Sequence, residues 1–314
     1  MTTIIHARPE RQITTTRRNS PLLHVLLWEL RRFRASRLFW FQALGFFCFL
    51  LFLTWALHAS EGFATVSNNV QLSAFVAGTS ARGLLHTLPT VLLVLVLFLP
   101  FVTADGVTRD LSRRTHELLM TTALPTWAYV WGRYLAGLVM SLGLALLLLA
   151  SILGMGGLLH LTDASYPLPQ MGAVLLLWVG MVVPATILVS SFGFALSTLF
   201  PRLSTLGKVV ILVAWIVGAE VIPRGLGNTT PPTWYVNWDP TNGITALGLT
   251  LAYPMPRGLT ITSEAQLQQL ILTIENKMPD LAGWFVPHLL LAALSLGLVL
   301  VAAFAFKRSR DALN

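Results

Sequence analysis

Residues 109–137 read RDLSRRTHELLMTTALPTWAYVWGRYLAG. This segment begins with charged residues, continues as a short amphipathic stretch, is interrupted by Pro125 and ends in aromatic residues. Long apolar runs flank it, at roughly 84–104 and 133–159. Because about 20 apolar residues cross the hydrocarbon core of a bilayer, the segment is predicted to connect two membrane spans.

The remaining apolar runs extend this pattern along the chain. They lie at roughly 38–58, 171–199, 208–222 and 284–306. Of the 314 residues, 55% are hydrophobic and only 11% are charged, whereas a soluble domain carries about 25% charged residues. We therefore predict an all-α integral membrane protein with six transmembrane helices. The run at 208–222 is short for a crossing, and Pro184 is expected to kink or tilt the run at 171–199.

The distribution of basic residues predicts the orientation. With six spans and a cytoplasmic N-terminus, 17 of the 21 lysines and arginines fall on the cytoplasmic side, as the positive-inside rule requires. Five spans would place the basic C-terminal segment outside, so 208–222 is counted as a crossing. We predict a multi-pass plasma-membrane protein with both termini in the cytoplasm. The basic residues cluster between apolar runs, which argues against nucleic acid as a partner.

Three regions are predicted along the chain. Residues 1–20 form a disordered cytoplasmic tail because they are polar and have no periodicity, 21–306 form a single transmembrane domain, and 307–314 form a cytoplasmic C-terminal tail. Leucines at helical spacing after Pro21 predict a basic amphipathic elbow helix in the plane of the interface. Its candidate interfacial residues are Trp28, Arg31, Arg32 and Arg34. The alternative is that this stretch is the ordinary beginning of the first span.

A long outer loop is predicted between spans five and six, at 223–282. Ser263 and Gln266 form a capping-box pattern, and an apolar stripe follows at helical spacing. A short amphipathic helix is therefore predicted at about 264–277, lying on the membrane or capping the protein, with a packing or a gating role. Glu220 lies near the outer end of the fifth span, where it can reach the interface or pair with Arg224, one helical turn later.

The sequence offers no catalytic or metal-binding pattern. It has no phosphate-binding G-x-x-x-x-G-K-[ST] loop, no clustered Cys/His set and no G-x-S-x-G turn, and Cys48 is its only cysteine. Several charges at mid-membrane, which an ion-coupled carrier would show more often, are also missing. We therefore expect no enzymatic activity and no cofactor in this chain, and we expect any energy for transport to come from a partner.

The opening segment is predicted to form a short helix parallel to the membrane. RRTHELLM places leucines roughly on one side and charged residues on the remaining surface, and Pro125 ends the helix. Trp127, Tyr129 and Trp131 then form an aromatic girdle at the membrane entrance. A short helix fixed to two spans acts as a lever, so a soluble protein that bound it would move both spans together.

The pattern R-x-x-x-R-R-T-x-E-L-L-x-T-x-x-x-P, followed by Gly132-Arg133 and a long apolar helix, resembles the first cytoplasmic loop of ABC-2-type transporter permeases. Arg114 stands where glycine is common in that family, and Ala123-Leu124 separates the threonines from Pro125. SFGFALSTLFPRLSTLGKVV at 191–210 and NWDPTNGITALGL at 237–249 resemble two further elements of the family. NosY-like permeases and drug or antibiotic exporters fit about equally well.

This resemblance implies specific partners. Such permeases pair as homo- or heterodimers and associate with two copies of an ABC ATP-binding subunit, which binds ATP and Mg²⁺ and drives export. Carried onto this sequence, the coupling contact falls on Arg113, Arg114, Thr115, His116, Glu117, Leu118 and Leu119. We hypothesise that Glu117 contacts a basic group on the ATPase; alternatively, Glu117 pairs internally with Arg113.

Two other functions remain open from the sequence. An ATP-independent secondary carrier or channel would transport without a partner, and a membrane assembly scaffold would not transport at all. The direction of transport rests on the family resemblance. The few ionisable residues in the spans favour a hydrophobic or amphipathic cargo.

Overall fold

The computed structural model describes residues 20–67, 70–112, 124–163, 165–227, 229–251, 262–277 and 282–311. Within these ranges, six helical segments are long and apolar enough to cross a membrane, at 37–56, 81–103, 126–162, 171–199, 201–226 and 283–306. We call them spans 1 to 6 in chain order. The predicted all-α class and the predicted number of spans are confirmed. Span 5 has 26 residues, so the expectation of a short crossing was wrong.

The helices and strands have the following bounds. The elbow helix is Pro21–Ala35, span 1 is Arg37–Ala56, and strands β1 and β2 are Ala59–Ser67 and Val70–Ala77. Span 2 lies in Ala81–Ser112, span 3 is Thr126–Thr162, and span 4 comprises Met171–Leu177, Trp178–Val182 and Val183–Leu199. Span 5 comprises Pro201–Leu203, Ser204–Ile216, Val217–Val221 and Ile222–Leu226. Three shorter helices follow, Thr233–Trp238, Gly243–Leu251 and the cap helix Glu264–Glu275, and span 6 lies in Ala282–Asp311.

Spans 2 and 4 form the centre of the bundle. In each of these spans, 56% of the most apolar stretch is buried inside the protein, compared with 22% in span 1 and 17% in span 5. Spans 1 and 5 therefore lie at the periphery. The core joins Leu92 and Leu95 of span 2 to Leu148 of span 3 and Met181 of span 4, all fully buried. Because lipid is as apolar as leucine, close packing rather than the hydrophobic effect holds such helices together.

Two spans contain a π-helical turn just before a proline. Trp178–Val182 precedes Pro184 in span 4, and Val217–Val221 precedes Pro223 in span 5. A proline within a helix lacks the N–H donor and clashes with the carbonyl four residues earlier, which here lies inside the π-helical turn in both cases. The predicted distortion at Pro184 thus takes the form of a widened turn.

A hairpin and the cap helix form a small layer at one end of the bundle. Strands β1 and β2 pair antiparallel, with Gly62 opposite Phe75, and this hairpin was not predicted. The cap helix lies on β2, where Leu267 and Ile271 form a cluster with Leu72 and Val76. Packing on the protein therefore accounts for its apolar stripe. We call this end of the bundle the hairpin side, and the opposite end, which carries the elbow helix, the elbow side.

The cap helix begins largely as predicted. The Ser263 hydroxyl accepts a hydrogen bond from the Gln266 N–H at 3.3 Å, while Gln266 Oε1 accepts from the N–H of Thr262 rather than from that of Ser263. Gln268 then binds the edge of the hairpin, since its Oε1 accepts from Phe75 N–H and its Nε2 donates to Phe75 O. These two bonds satisfy backbone groups that an edge strand otherwise leaves open.

Candidate functional site

The predicted coupling segment precedes span 3 in the chain. Its seven residues, Arg113, Arg114, Thr115, His116, Glu117, Leu118 and Leu119, fall outside the described residues, so the coupling helix remains a prediction. The described chain resumes at Leu124, and Pro125 has an extended backbone before span 3 begins at Thr126. Span 3 is therefore the first described helix after this segment.

The elbow is a helix of its own, separated from span 1. Pro21 occupies its first position, and the Ser20 hydroxyl accepts a hydrogen bond from Leu23 N–H. Ser36 has extended backbone angles and caps span 1 by accepting a bond from Phe39 N–H. A proline at the first helical position and serine N-caps are the usual devices for starting a helix, so the sequence builds two helices here.

The face of the elbow helix that meets the protein differs from its leucine stripe. The buried residues are Val25 and Glu29, four positions apart, whereas Leu23 and Leu27 are exposed. Gly132 of span 3 permits this approach, because a Cβ there would lie 2.7 Å from Val25 Cβ. The elbow therefore docks on the beginning of span 3 through a small-residue contact and a carboxylate.

A buried ion pair joins the elbow helix to span 3. Arg133 Nη1 pairs with Glu29 Oε1, and both side chains are only 2% exposed. The Arg133 guanidinium lies over the rings of Trp28 and Tyr129, 5.2 Å from each centroid. Glu29 also binds Arg32 of its own helix at 2.8 Å. Separating such a buried pair costs free energy, so the pair holds the two helices together.

The four candidate elbow residues divide into two groups. Trp28 and Arg32 belong to the Glu29–Arg133 cluster, and the Arg32 guanidinium is 5.9 Å from the Trp28 ring. Arg31 and Arg34 are exposed, and Arg34 contributes its carbonyl, which accepts a hydrogen bond from Trp40 Nε1. Glu29 was missed at the sequence level because nothing near it in the chain signals a partner beyond position 130.

A cavity opens beside this cluster. It has a volume of about 320 Å³ and is lined by His24, Val25, Trp28, Leu124, Tyr129 and Arg133. The cavity therefore lies between the elbow helix and the beginning of span 3, and Leu124 is the first described residue after the predicted coupling segment. Tyr129, predicted as an interfacial anchor, is buried instead and stacks on Phe306 of span 6 at 6.0 Å.

The base of span 3 also reaches spans 4 and 6. Val130, Tyr134, Phe194 and Val299 form one buried cluster with Tyr129, and the Tyr134 hydroxyl is 2.7 Å from the Ser191 hydroxyl. A rigid displacement of the elbow and the base of span 3 would therefore also shift spans 4 and 6, because packed interiors transmit strain.

On the hairpin side, one turn connects the π-helical segments of spans 4 and 5. Asp239 accepts hydrogen bonds from Thr241 and from the N–H groups that open the following helix. Asn242, at φ 64°, donates from Nδ2 to Met181 O in the span 4 π-turn at 3.3 Å. A Cβ on Gly243 would lie 2.5 Å from Ala219 O in the span 5 π-turn. Burial raises the Asp239 pKa, although these hydrogen bonds oppose the shift.

Two carboxylates near the hairpin side have named partners. Glu220 pairs with Arg224 at 2.7 Å, one of the two alternatives that the sequence left open, and also accepts a hydrogen bond from Thr90 Oγ1 at 2.8 Å. Glu275 of the cap helix is fully buried and accepts from Ala77 N–H at 3.0 Å. Among the described residues, no group of three or more His, Cys, Asp or Glu side chains is placed to hold a metal ion.

These features define a multi-pass α-helical membrane protein whose polar chemistry is concentrated at its two ends. The family described as ABC-2 family transporter protein matches residues 57–247, which is 191 of 314 residues. The chain belongs to this family and is therefore the membrane component, or permease, of an ABC transporter, a class that associates with an ATP-binding subunit. Comparison with curated proteins finds no significant match.

Proposed function

We propose that the chain is the permease of an ATP-driven exporter in the plasma membrane, with both termini in the cytoplasm. A separate ATP-binding subunit, present in two copies, binds ATP and Mg²⁺, since this sequence has no phosphate-binding loop. A second permease copy, identical or related, completes the transport path. The observation that carries the proposal is the buried Glu29–Arg133 pair, which joins the elbow to the span that follows the predicted coupling segment in the chain.

The proposed coupling runs through three connected parts. The ATPase binds residues 113–119, with Glu117 facing a basic group on the ATPase. The segment leads into span 3 along the chain, and Arg133 and Glu29 join span 3 to the elbow. When the ATPase subunits close, the elbow and the base of span 3 then move as one unit. Tyr129, Tyr134 and Phe194 pass this displacement to spans 4 and 6.

The spans favour an apolar or amphipathic cargo. Their exposed faces are dominated by large apolar side chains, such as Phe41, Phe52 and Leu294. A path formed between two such faces offers few charges to a polar solute, whereas an amphipathic molecule would remain in contact with apolar groups. Lipids, peptides and apolar drugs are the classes that this composition fits.

The test is recovery of the ATPase with the tagged, full-length permease from its own host in mild detergent, followed by mass spectrometry. Glu117→Ala is the test variant, and Glu264→Ala is its matched control, because Glu264 is an exposed carboxylate on the hairpin side. We expect the ATPase to be recovered with the wild type and the control, and to be reduced at least severalfold with Glu117→Ala.

Each other outcome has a definite meaning. Equal recovery with Glu117→Ala contradicts the role proposed for Glu117. If cross-linked native membranes yield no ATPase while vesicles containing the permease alone still transport, the ATP-driven mechanism is wrong and an ion-driven carrier is the better description.

A further inference from the structure

A second cavity lies on the hairpin side, away from the elbow cluster. It has a volume of about 280 Å³ and is bounded by span 2, the end of span 5 and the helix Gly243–Leu251. Its polar lining consists of His86, Thr90, Glu220, Arg224 and Thr250. Small-molecule sites usually occupy about 300–1,000 Å³, so this cavity suits a head group rather than a whole amphipathic molecule.

The cavity presents two opposite charges at different depths. The Glu220 side chain is 18% exposed and the Arg224 side chain 78% exposed, so the carboxylate lies inside and the guanidinium at the mouth. Glu220 projects from the π-helical turn Val217–Val221, and such turns occur frequently at functional sites. Burying a carboxylate within a membrane span costs free energy, so an ionisable residue there is a candidate for a functional site.

We propose that this cavity binds a head group carrying both a primary ammonium and a phosphate ester, as in an ethanolamine phospholipid of the hairpin-side leaflet. The ammonium takes the inner position against Glu220, and the phosphate takes the outer position against Arg224, which pairs with phosphate in a bidentate manner. The site does not depend on ATP coupling and goes beyond the transport function proposed above.

The charge pattern selects a zwitterionic head group. A purely anionic head would bring its charge toward Glu220, and a purely cationic head would face Arg224. A head group with both charges meets each side chain with the opposite sign. It also replaces the hydrogen bond that Arg224 Nη2 now donates to Glu220 Oε2, because a primary ammonium has three N–H donors.

The lining also discriminates between kinds of ammonium. Sites for quaternary ammonium groups are built from aromatic rings, and no Phe, Tyr or Trp is among the described residues that line this cavity. A choline head group has no N–H donor for Glu220. The cavity therefore favours ethanolamine over choline.

An apolar track leads from the cavity into the membrane. Ile216, Val213 and Val209 follow Glu220 down span 5 at spacings of three and four residues, and all three are exposed. This face lies below the carboxylate and belongs to the least buried span. Acyl chains can lie along it while the head group occupies the cavity.

The test uses the full-length protein, stripped of copurifying lipid in detergent, and native mass spectrometry with dioleoyl phosphatidylethanolamine or dioleoyl phosphatidylcholine. We expect the ethanolamine lipid to bind about tenfold more tightly, the effect of one charge-assisted hydrogen bond. Glu220→Gln should bring the two affinities to within about twofold of each other. Glu264→Gln, an exposed carboxylate outside the cavity, should leave the preference unchanged.

Arg224→Gln provides an independent variant because its side chain is exposed and the substitution spares the packing. This variant should weaken the binding of both phospholipids by a similar factor and should preserve the preference for the ethanolamine lipid. Soluble phosphoethanolamine distinguishes the two sources of the head group. If it displaces the lipid at millimolar concentration, the cavity binds a soluble ligand. If it does not, the cavity binds the lipid. Equal binding of both lipids by the wild type, or an unchanged preference in Glu220→Gln, would overturn the proposal.

Discussion

Glu29 in the elbow helix forms a buried ion pair with Arg133 in the second turn of span 3, and 104 positions of chain separate the two residues. The pair fixes a helix that precedes the first span to the helix that follows the predicted coupling segment. Trp28 and Tyr129 add to this contact, because their rings lie against the Arg133 guanidinium. One face of the elbow helix is thus fixed to the transmembrane bundle.

Removing the carboxylate should cost more than removing Arg133. Glu29→Gln deprives both Arg133 and Arg32 of their shared anion, whereas Arg133→Gln leaves Glu29 paired with Arg32. We expect Glu29→Gln to lower the free energy of unfolding by about 1.5–3 kcal/mol, the contribution of a buried charge-assisted hydrogen bond, and Arg133→Gln to lower it by less. Thermal unfolding of the purified protein measures both.

Arg31→Gln is the control for this comparison, because Arg31 is an exposed arginine of the same helix. It should change the stability by no more than about 0.5 kcal/mol. Equal losses for Glu29→Gln and Arg31→Gln would contradict the assignment of the pair. Loss of ATP-driven transport with Arg133→Gln, at a temperature where the protein remains folded, would support the proposed route of coupling.

The cap helix should dock more tightly at low pH. Burial raises the pKa of Glu275 from 4.5 to about 7, against the opposing hydrogen bonds from Ala77 and Ser80. A carboxyl group with a raised pKa binds its proton more tightly in the docked state. Docking is therefore strongest below pH 4.5, weakens as the pH rises to about 7, and is constant above that. The whole change amounts to about 3 kcal/mol.

Hydrogen exchange of residues 70–77 and 264–275 at pH 5 and pH 8, corrected for intrinsic rates, measures this docking. The wild type should lose protection at pH 8. Glu275→Gln, which mimics the protonated acid, should remain protected at both values. Burial, and to a lesser extent the charge of Glu275, raises the pKa of Tyr166 above its usual value of 10, so this side chain stays neutral throughout. A pH-independent wild type would contradict the prediction.

Much of the architecture was predictable, because lipid imposes strong rules on a sequence. The six spans follow from apolar length, and the cap helix follows from Ser263 and its stripe. The Glu220–Arg224 pair also follows, because both residues lie on one helical face. In each case the signal lies within a single stretch of chain.

What could not be predicted depends on contacts between distant stretches. Nothing beside Glu29 in the sequence indicates Arg133, and nothing beside Glu275 indicates that the end of β2 buries it. The hairpin is different, since Val70, Leu72, Ala74 and Val76 alternate with other residues and follow an Asn-Asn dipeptide. This alternation is a signal for a strand, but it is short and lies between two much stronger apolar runs.

The turn that connects the π-helical segments should tolerate no side chain at Gly243. A Cβ there would lie 2.5 Å from Ala219 O and 2.7 Å from Ala219 Cα, and backbone atoms cannot move aside as a flexible side chain does. Gly243→Ala should therefore destabilise the protein by about 1–3 kcal/mol. Gly225→Ala is the matched control, because nothing lies within 4 Å of its Cβ position. Unfolding temperatures that fall equally for both variants would contradict the close contact.

The orientation can be tested by labelling single cysteines in whole cells. Cys48→Ser removes the native thiol, and His116→Cys and Tyr235→Cys then place one thiol on each predicted side. A membrane-impermeant maleimide should label position 235 and should leave position 116 unlabelled until the cells are opened, because the positive-inside rule places the basic 109–114 segment in the cytoplasm. The reverse pattern would place the elbow outside. The ATPase contact proposed for Glu117 would then be impossible, whereas the ion pair between Glu29 and Arg133 would stand unchanged.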